Sequence, residues 1–235
     1  MTGLEAGELV SIVLPVHNAA AFIGEALASI YAQEGLALEV IVVDDGSTDG
    51  SLALAQSGFP AVRGIRQANA GIGAARNRGV EAARGEYLAF LDADDRWPAG
   101  RLTRLLAAHA ALESPGGVFG HVRHFFCPSL DEAARGRLRC PPGTAPAYFA
   151  GAMLIRLDDF RRIGPFEEDL QVGEFISWFA RARDRGLAHE MIEDVVLERR
   201  IHDSNHTLSR RDSFSDYALM LKRTLDRRRS QSQRS

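Results

Sequence analysis

Short apolar runs alternate with amphipathic segments along the first hundred residues of the chain. The runs are continuous rather than alternating, as in strands buried on both faces, and they occupy residues 11–16, 38–43, 61–65 and 87–91. Between them, apolar residues at spacings of about four predict helices at residues 19–33, 51–56 and 72–83. This alternation predicts an α/β fold with a doubly wound, mostly parallel sheet.

The pattern is less regular in the second half of the chain. Pro98 is predicted to open a helix at its favoured first-turn position. Residues 128–146 contain four prolines and are predicted to form a long loop. The remaining predicted elements are one or two strands at 117–127, a strand at 148–156, helices at 158–163 and 173–185, extended chain at 187–201 and a last helix at 214–228.

Carboxylates follow two of the predicted strands. Asp92, Asp94 and Asp95 come directly after the run that begins at Tyr87, and Asp45 ends the run that precedes a Gly-Ser-Thr turn. Ligands of open α/β sheets bind beyond the carboxyl ends of the strands, and an Asp-x-Asp offers oxygen ligands to Mg²⁺ or Mn²⁺. An acid-rich turn is the alternative at both places, because short motifs also occur by chance.

Arg76 and the two cysteines are further candidates for a chemical role, and only Arg76 has two alternative interpretations. Arg76 either lies on a solvated helix face or binds phosphate oxygens with its guanidinium group. Cys127 and Cys140 have no His or Cys neighbour at zinc-ligand spacing and are expected to be reduced structural thiols.

Composition narrows the function classes. The chain has 235 residues, 25% charged and 46% hydrophobic, with a net charge of −3, so the whole protein is not expected to attract nucleic acid. Residues 1–10 lack the pattern of a signal peptide, and no uncharged apolar segment reaches about 18 residues. We therefore expect a cytoplasmic protein.

Three segments together resemble family 2 glycosyltransferases of the GT-A fold. They are SIVLPVHNAAAFIGEALASIYAQ, VIVVDDGSTDGS and NAGIGAARNRGVEAARGEYLAFLDADD, in that order. The resemblance implies one glycosyltransferase domain over residues 1–235. Its expected parts are a nucleotide-sugar-binding half at 1–97, an acceptor-side half at 98–212, and a C-terminal helix with a basic tail at 213–235.

The resemblance also implies site residues. Asp45 would bind the base of a nucleotide, usually uridine diphosphate, and Asp94 would hold Mn²⁺ or Mg²⁺, with His202 as a further metal or phosphate contact. Asp95 is expected to support the loop. The residues expected at the sugar-nucleotide site are Pro15, His17, Asn18, Asp45, Arg76, Asp92, Ala93 and Asp94.

The expected catalytic base departs from the family pattern. Family members usually have a Glu-Asp pair at a helix start, whereas this chain has Glu174-Phe175. Glu174 is therefore the candidate base of an inverting transfer, with complementing the helix dipole as its alternative role. The missing aspartate also leaves open a weak or silent sugar-nucleotide-binding protein. A sugar-phosphate nucleotidyltransferase is disfavoured, because no glycine-rich basic loop follows the first strand.

Other predictions concern a tryptophan, two arginines and the basic tail that could contact substrates or partners. Trp178 is interpreted either as a platform for a sugar or as a core residue. Arg199 and Arg200 could face the departing diphosphate. The basic tail is predicted to be a solvated terminus or to make weak contact with an anionic membrane. Neither the donor sugar nor the acceptor is determined by these residues.

Overall fold

The structure, a computed structural model, describes residues 8–114, 116–170, 172–203 and 222–223 of the chain. The described strands are β1 (Leu9–Val16), β2 (Ala37–Asp45), β3 (Arg63–Gln67), β4 (Tyr87–Phe90), β5 (Gly116–Phe126), β6 (Thr144–Pro146), β7 (Met153–Arg156) and β8 (Ala188–Ile201). The described helices are α1 (Ile23–Tyr31), α2 (Ser51–Gly58), α3 (Ile72–Ala82), α4 (Arg101–Ala110), α5 (Glu132–Arg137), α6 (Leu157–Ile163) and α7 (Glu174–Asp184), with a 3₁₀ turn at Ala150–Ala152.

The eight described strands form one mixed sheet, in which seven follow the order β3-β2-β1-β4-β7-β5-β6 and β8 pairs with β5 outside this order. Strands β1 to β4 are parallel to one another, whereas β7 is antiparallel to both β4 and β5. Strand β8 runs parallel to β5, on the edge opposite β6 and β7. The sheet is therefore mostly parallel, as the alternation of elements predicted.

Helices cover both faces of the sheet because successive side chains of a strand point to opposite faces. Ile12 and Leu14 pack with the apolar faces of α1 and α4, whereas Val13 packs with α3, α6 and α7 on the other side. Both faces of β1 are buried, which explains why its sequence is apolar apart from Ser11, whose hydroxyl donates to Glu39 Oε2 at 2.6 Å. The doubly wound arrangement is confirmed.

Three predicted boundaries in the second half were wrong. Helix α4 begins at Arg101, because Gly100 in the left-handed conformation starts it and Pro98 lies before its first turn. Residues 128–146 are not a continuous loop: Asp131 caps the short helix α5 through Ala134 N, and Thr144 begins β6. The strand predicted at 148–156 is formed only by β7, since the 3₁₀ turn precedes it.

The predicted C-terminal helix at 214–228 lies outside the described residues, except for Lys222 and Arg223. Arg223 forms an ion pair with Asp169, with a nearest distance of 2.5 Å. Over the described ranges, no helix combines the length and hydropathy that crossing a bilayer would require.

Candidate functional site

The predicted site residues of the first half lie at the carboxyl edge of β1, β2 and β4. These strands are parallel neighbours, so their carboxyl ends open onto the same side of the molecule. Pro15 is buried within β1 opposite Val43, and the chain leaves the strand at His17. Residues that are far apart in the sequence therefore meet at one edge.

The turn after β1 is tied to the turn after β2 by hydrogen bonds. His17 Nδ1 lies 2.8 Å from the backbone oxygen of Asp45, and Asn18 N donates to Ser47 Oγ at 3.0 Å. Asn18 Oδ1 accepts from Thr48 N at 2.9 Å, with Asn18 in the left-handed conformation at φ 51°. These bonds give the two turns a fixed relation before any ligand binds.

The carboxylate of Asp45 is buried and organises the loop that leads to α3. It accepts hydrogen bonds from Ala70 N at 2.8 Å, Gly71 N at 2.9 Å and Gln67 Nε2 at 2.9 Å. A carboxylate offers about four lone-pair positions, so roughly one is left for a ligand donor. The sequence did not reveal these loop partners, because backbone amides have no residue signature. The base-binding role of Asp45 stays a prediction.

The acidic turn after β4 exposes two of its three aspartates. Asp92 and Asp94 are partly exposed, whereas Ala93 and Asp95 between and after them are buried. Asp95 N donates to Asp92 O at 3.0 Å, which closes the turn. Burial together with the charges of Asp94 and Asp92 raises the pKa of Asp95 well above its usual value. Asp95 supports the loop, since its Oδ1 accepts from Arg200 N at 2.9 Å.

Arg76 joins the acidic turn to the second half of the chain. Its side chain is 4% exposed, with Nη2 2.7 Å from Asp92 Oδ1 and Nη1 hydrogen-bonded to Glu174 Oε1. Burial opposes the charged guanidinium, but Asp92 and Glu174 outweigh that effect and raise the pKa of Arg76. The solvated-face interpretation of Arg76 was therefore wrong. Its contact with phosphate stays a prediction, because both Nη groups bind carboxylates here.

Glu174 is the first residue of α7 and lies 8% exposed beside Arg76. Gly173 precedes it with φ 82°, a left-handed conformation that favours glycine and turns the chain into the helix. The positive end of the helix dipole stabilises an acid in the first turn. The structure thus brings the candidate base and Asp92 together on one guanidinium, across 98 residues of sequence between Arg76 and Glu174.

Phe175 and Trp178 point away from this cleft. Phe175 is 5% exposed and packs against Phe119, Phe166 and Trp178. Trp178 is fully buried and donates from Nε1 to Gly164 O at 2.9 Å. The core interpretation of Trp178 is therefore confirmed, and the platform interpretation was wrong. An aspartate at position 175 would face the same apolar cluster.

The two residues predicted to bind metal are in contact. His202 Nε2 lies 3.0 Å from Asp94 Oδ2, at the ends of β8 and β4. Burial opposes ionisation of Asp94, but the hydrogen bond from His202 outweighs it and lowers the pKa of Asp94.

The donor set has the chemistry of a divalent-cation site that a substrate completes. Mg²⁺ is commonly bound by one or two carboxylates together with substrate phosphates, and imidazole and carboxylate both suit Mn²⁺. In the described part of the chain, no group of three or more His, Cys, Asp or Glu side chains could enclose a metal. The residue types of the pair therefore fit a divalent cation whose remaining ligands come from outside the described residues.

Arg200 supports the Asp94–His202 pair by contacts with Asp94 and with residues Phe22 and Glu25; we call this set of contacts the Arg200 brace. Its side chain is 3% exposed, Nε donates to Asp94 O at 2.9 Å, and Nη2 lies 2.5 Å from Glu25 Oε2 in α1. The guanidinium also lies 5.4 Å from the centre of the Phe22 ring, which packs against His202 at 4.6 Å. The amino-acid sequence gives no sign of this contact, since Glu25 and Arg200 are 175 residues apart.

The order of the strands, the acidic turn after β4 and the helices on both faces of the sheet together define a GT-A type nucleotide-diphospho-sugar transferase fold. Residues 11–166 match the family described as "Glycosyl transferase family 2", so the chain belongs to glycosyltransferase family 2.

Solved structures support the fold. TarS 1–349 of S. aureus, solved in complex with UDP-GlcNAc, aligns over 90% of this chain and 65% of its own, with 20% identity and a TM-score of 0.70. The mannosyltransferase PcManGT from Pyrobaculum calidifontis, in complex with GDP-Man and Mn²⁺, aligns over 85% of this chain and 59% of its own, with 24% identity and a TM-score of 0.64.

A curated relative is similar over a shorter stretch. The uncharacterized glycosyltransferase YibD of Escherichia coli K12 is 46% identical over 88 residues, which are 36% of this chain and 26% of YibD. Alignments with two further curated relatives span 31% and 29% of their lengths. The chain therefore matches about a quarter to a third of these longer proteins.

Proposed function

We propose that this chain transfers a sugar from a nucleotide diphosphate donor to an acceptor hydroxyl, with inversion at the anomeric carbon. One observation carries the proposal: the guanidinium of Arg76 donates hydrogen bonds to both Asp92 and Glu174, and Asp94 of the same acidic turn contacts His202. A donor site and a candidate base thereby share one cleft edge. Family membership supports the reaction class.

The donor is proposed to be a uridine diphosphate sugar. The base would lie against the turns of His17 and Asn18, with Asp45 accepting one hydrogen bond at its remaining position. The complexes of TarS with UDP-GlcNAc and of PcManGT with GDP-Man support a nucleotide sugar in this fold. The acceptor, the cytoplasmic location and weak membrane contact through the tail stay predictions.

Asp94 and His202 would hold Mn²⁺ or Mg²⁺ together with diphosphate oxygens, and the Mn²⁺ complex of PcManGT supports this assignment. When bound, a divalent cation stabilises the negative charge that develops on the departing diphosphate. Asp92 and Arg76 would set the position of the turn that carries Asp94. Arg200 would keep that turn in place by its bonds to Asp94 and Asp95.

Glu174 is proposed to take the proton of the acceptor hydroxyl. The acceptor oxygen then forms a bond to the anomeric carbon while the bond to the diphosphate oxygen breaks, and the electron pair leaves with the nucleotide. One displacement from the opposite face inverts configuration. Arg76 orients the Glu174 carboxylate through Nη1, so the base is held in one position before the acceptor arrives.

A first experiment tests the base. Transfer from UDP-sugars is measured with the parent, Glu174→Gln and the surface control Glu81→Gln, and the anomer of the product is read by NMR. We expect Glu174→Gln to lose roughly 10²- to 10⁴-fold in turnover while UDP affinity is unchanged. Retention of the donor's configuration in the product would refute the inverting mechanism.

A second experiment tests the metal site by calorimetry of UDP binding with and without Mn²⁺. Mn²⁺ should strengthen binding to the parent and to the control Asp158→Asn, whose side chain is 95% exposed. It should have little effect on Asp94→Asn. Equal strengthening in all three proteins would exclude Asp94 from the metal site.

A sugar-nucleotide-binding protein with weak or no turnover is the second candidate. It is favoured by the burial of Glu174, its ion pair with Arg76 and the core position of Phe175. This candidate predicts that UDP binds with Mn²⁺ dependence, while neither hydrolysis nor transfer of any UDP-sugar is detected.

A further inference from the structure

The two candidate metal ligands follow strands that are not paired with each other in the described sheet. Asp94 lies in the acidic turn after β4, which pairs with β1 and β7, whereas His202 follows β8, which pairs with β5. The hydrogen-bond ladders of these strands therefore do not fix the 3.0 Å contact between Asp94 Oδ2 and His202 Nε2. A separate link between the acidic turn and the end of β8 is required for this contact.

An antiparallel bridge joins the acidic turn to β8 at Arg96 and Glu198. Arg96 N donates to Glu198 O at 3.1 Å, and Glu198 N donates to Arg96 O at 2.9 Å. Arg96 lies two residues after Asp94, and Glu198 lies four residues before His202. The bridge therefore sets which residues of the turn lie opposite which residues of β8.

The backbone bonds of this bridge specify its register only weakly, because every residue other than proline offers the same donor and acceptor. A slip by one residue would move the chain by about 3.3 Å and turn each side chain to the other face. Ligand distances in a metal site vary by only about 0.2 Å. The register of the bridge therefore has to be fixed by side chains.

The carboxylate of Glu198 fixes this register. Its side chain is 11% exposed and accepts one hydrogen bond from Arg96 Nε at 2.5 Å and another from Arg123 of β5. Burial opposes ionisation of Glu198, but the bonds from Arg123 and Arg96 outweigh it and lower the pKa of this carboxyl. In a slipped register the carboxylate would be buried without these partners, which is strongly unfavourable.

Arg96 also connects the bridge to the Arg200 brace. The guanidinium groups of Arg96 and Arg200 both lie over the Phe125 ring, at 4.3 Å and 4.7 Å from its centre. Each of them donates to one carboxylate oxygen of Glu25 at 2.5 Å, and Arg200 Nε donates to Asp94 O. A shift of Arg96 along β8 would therefore disturb the contacts of Asp94 as well.

We propose that Arg96 and Glu198 act as a positioning pair, which holds Asp94 and His202 at the spacing that a divalent cation requires. This inference rests on the proposed function, because it takes Asp94 and His202 as the metal ligands. The pair acts on the cation only through the backbone of the acidic turn and of β8. Its loss should weaken metal binding without changing the metal-free affinity for the nucleotide.

The test measures Mn²⁺ affinity rather than transfer. Free Mn²⁺ is followed by electron paramagnetic resonance while the full chain is titrated at a fixed concentration of UDP, and Mn²⁺ bound by UDP alone is subtracted. We expect Arg96→Gln and Glu198→Gln each to weaken Mn²⁺ binding roughly tenfold, the lower end of the effect of residues that orient metal ligands. Calorimetry without metal should give the same UDP affinity for these variants as for the parent.

Matched variants separate positioning from general stability. Arg123→Gln removes the other partner of Glu198 but leaves the acidic turn unchanged, so it should bind Mn²⁺ as the parent does. Glu190→Gln changes an exposed residue of β8 and should also have no effect. Arg96→Lys keeps a charge for Glu198 and should recover part of the affinity that Arg96→Gln loses.

A double variant shows whether the two residues act through each other. Arg96→Gln combined with Glu198→Gln should bind Mn²⁺ as weakly as either single variant, because both changes remove the same contact. Circular dichroism checks that every variant is folded at the temperature of the titration. If Glu198→Gln does not fold, the comparison of Arg96→Gln with Arg96→Lys and Arg123→Gln decides instead.

Three results would overturn the positioning pair: unchanged Mn²⁺ affinity in Arg96→Gln and Glu198→Gln, additive losses in the double variant, or an equal loss in Arg123→Gln. In each of these cases the parent still binds Mn²⁺, so the proposed function stands. A parent that binds no Mn²⁺ beyond that held by UDP would instead refute the metal site of the proposed function, and this inference with it.

Discussion

Replacing Arg76 with Met should destabilise the fold because it removes the shared partner of two carboxylates. Met keeps most of the apolar volume of the arginine stem but leaves Glu174 and Asp92 without their guanidinium. The Glu174 side chain is 10% exposed, so its pair with Arg76 is effectively buried, whereas the Asp92 side chain is 36% exposed and its pair is largely screened.

The expected loss of unfolding free energy in Arg76→Met therefore comes mainly from Glu174. Removing one partner of a buried ion pair costs about 3–5 kcal/mol, and we expect the lower end of that range for Arg76→Met. Arg78 offers a matched control two residues further along α3. It pairs at 3.1 Å with Glu81, both side chains being more than half exposed, so Arg78→Met should cost less than about 0.5 kcal/mol.

The assay is urea unfolding at pH 7, followed by circular dichroism. The double variant Arg76→Met with Glu174→Gln should be more stable than Arg76→Met alone, because the amide removes the uncompensated buried charge. If Arg76→Met lies within about 1 kcal/mol of the parent, or if the double variant is less stable still, the guanidinium does not hold these carboxylates as described.

Three further predictions concern the core, the acid stability and the metal site. Phe175→Asp should lower the free energy of unfolding by at least about 3 kcal/mol in urea titrations and should not raise transfer activity, because the new carboxylate would lie in the aromatic cluster; a gain in turnover would contradict this. Burial opposes ionisation of Glu25 and Glu198, yet their arginine partners outweigh it and hold the pKa of both carboxyls below the ordinary value of 4.5. Their contribution to stability is therefore complete above the unfolded-state pKa and is lost as the pH falls through the lower folded-state pKa. Removing the shared partner by Arg96→Gln should flatten the fall in unfolding free energy below pH 4.5, and an unchanged slope would count against the network. Arg200→Lys should weaken Mn²⁺-dependent UDP binding roughly tenfold in calorimetry, since lysine cannot keep the bonds to both Asp94 O and Glu25; unaltered affinity would exclude the brace.

Local patterns predicted the elements that build the donor side. Continuous apolar runs identified β1, β2 and β4, because a strand buried on both faces has no polar positions. The placing of Asp45, Asp92 and Asp94 at one sheet edge followed from the parallel order of these strands. Boundaries in the second half were less predictable, since Gly100 rather than Pro98 begins α4 and a capped turn at Asp131 interrupts the expected loop.

Side-chain partners across long sequence separations required the folded chain. Arg76 could be identified as a notable residue, but whether it faces solvent or carboxylates depends on where α7 packs. Trp178 and Phe175 carry the same ambiguity, because residues of one helix turn point to different sides and only packing decides which side is the core.

The sequence by itself determined the order of strands and helices from β1 to β4, the acids that follow β2 and β4, and the family. Tertiary structure alone decided that Glu174 meets Asp92 through Arg76, that Arg200 braces Asp94 against α1, and that Trp178 lies in the core. The physical reason is that periodicity and turn chemistry act within a few residues, whereas burial and ion pairing depend on which distant elements share a surface.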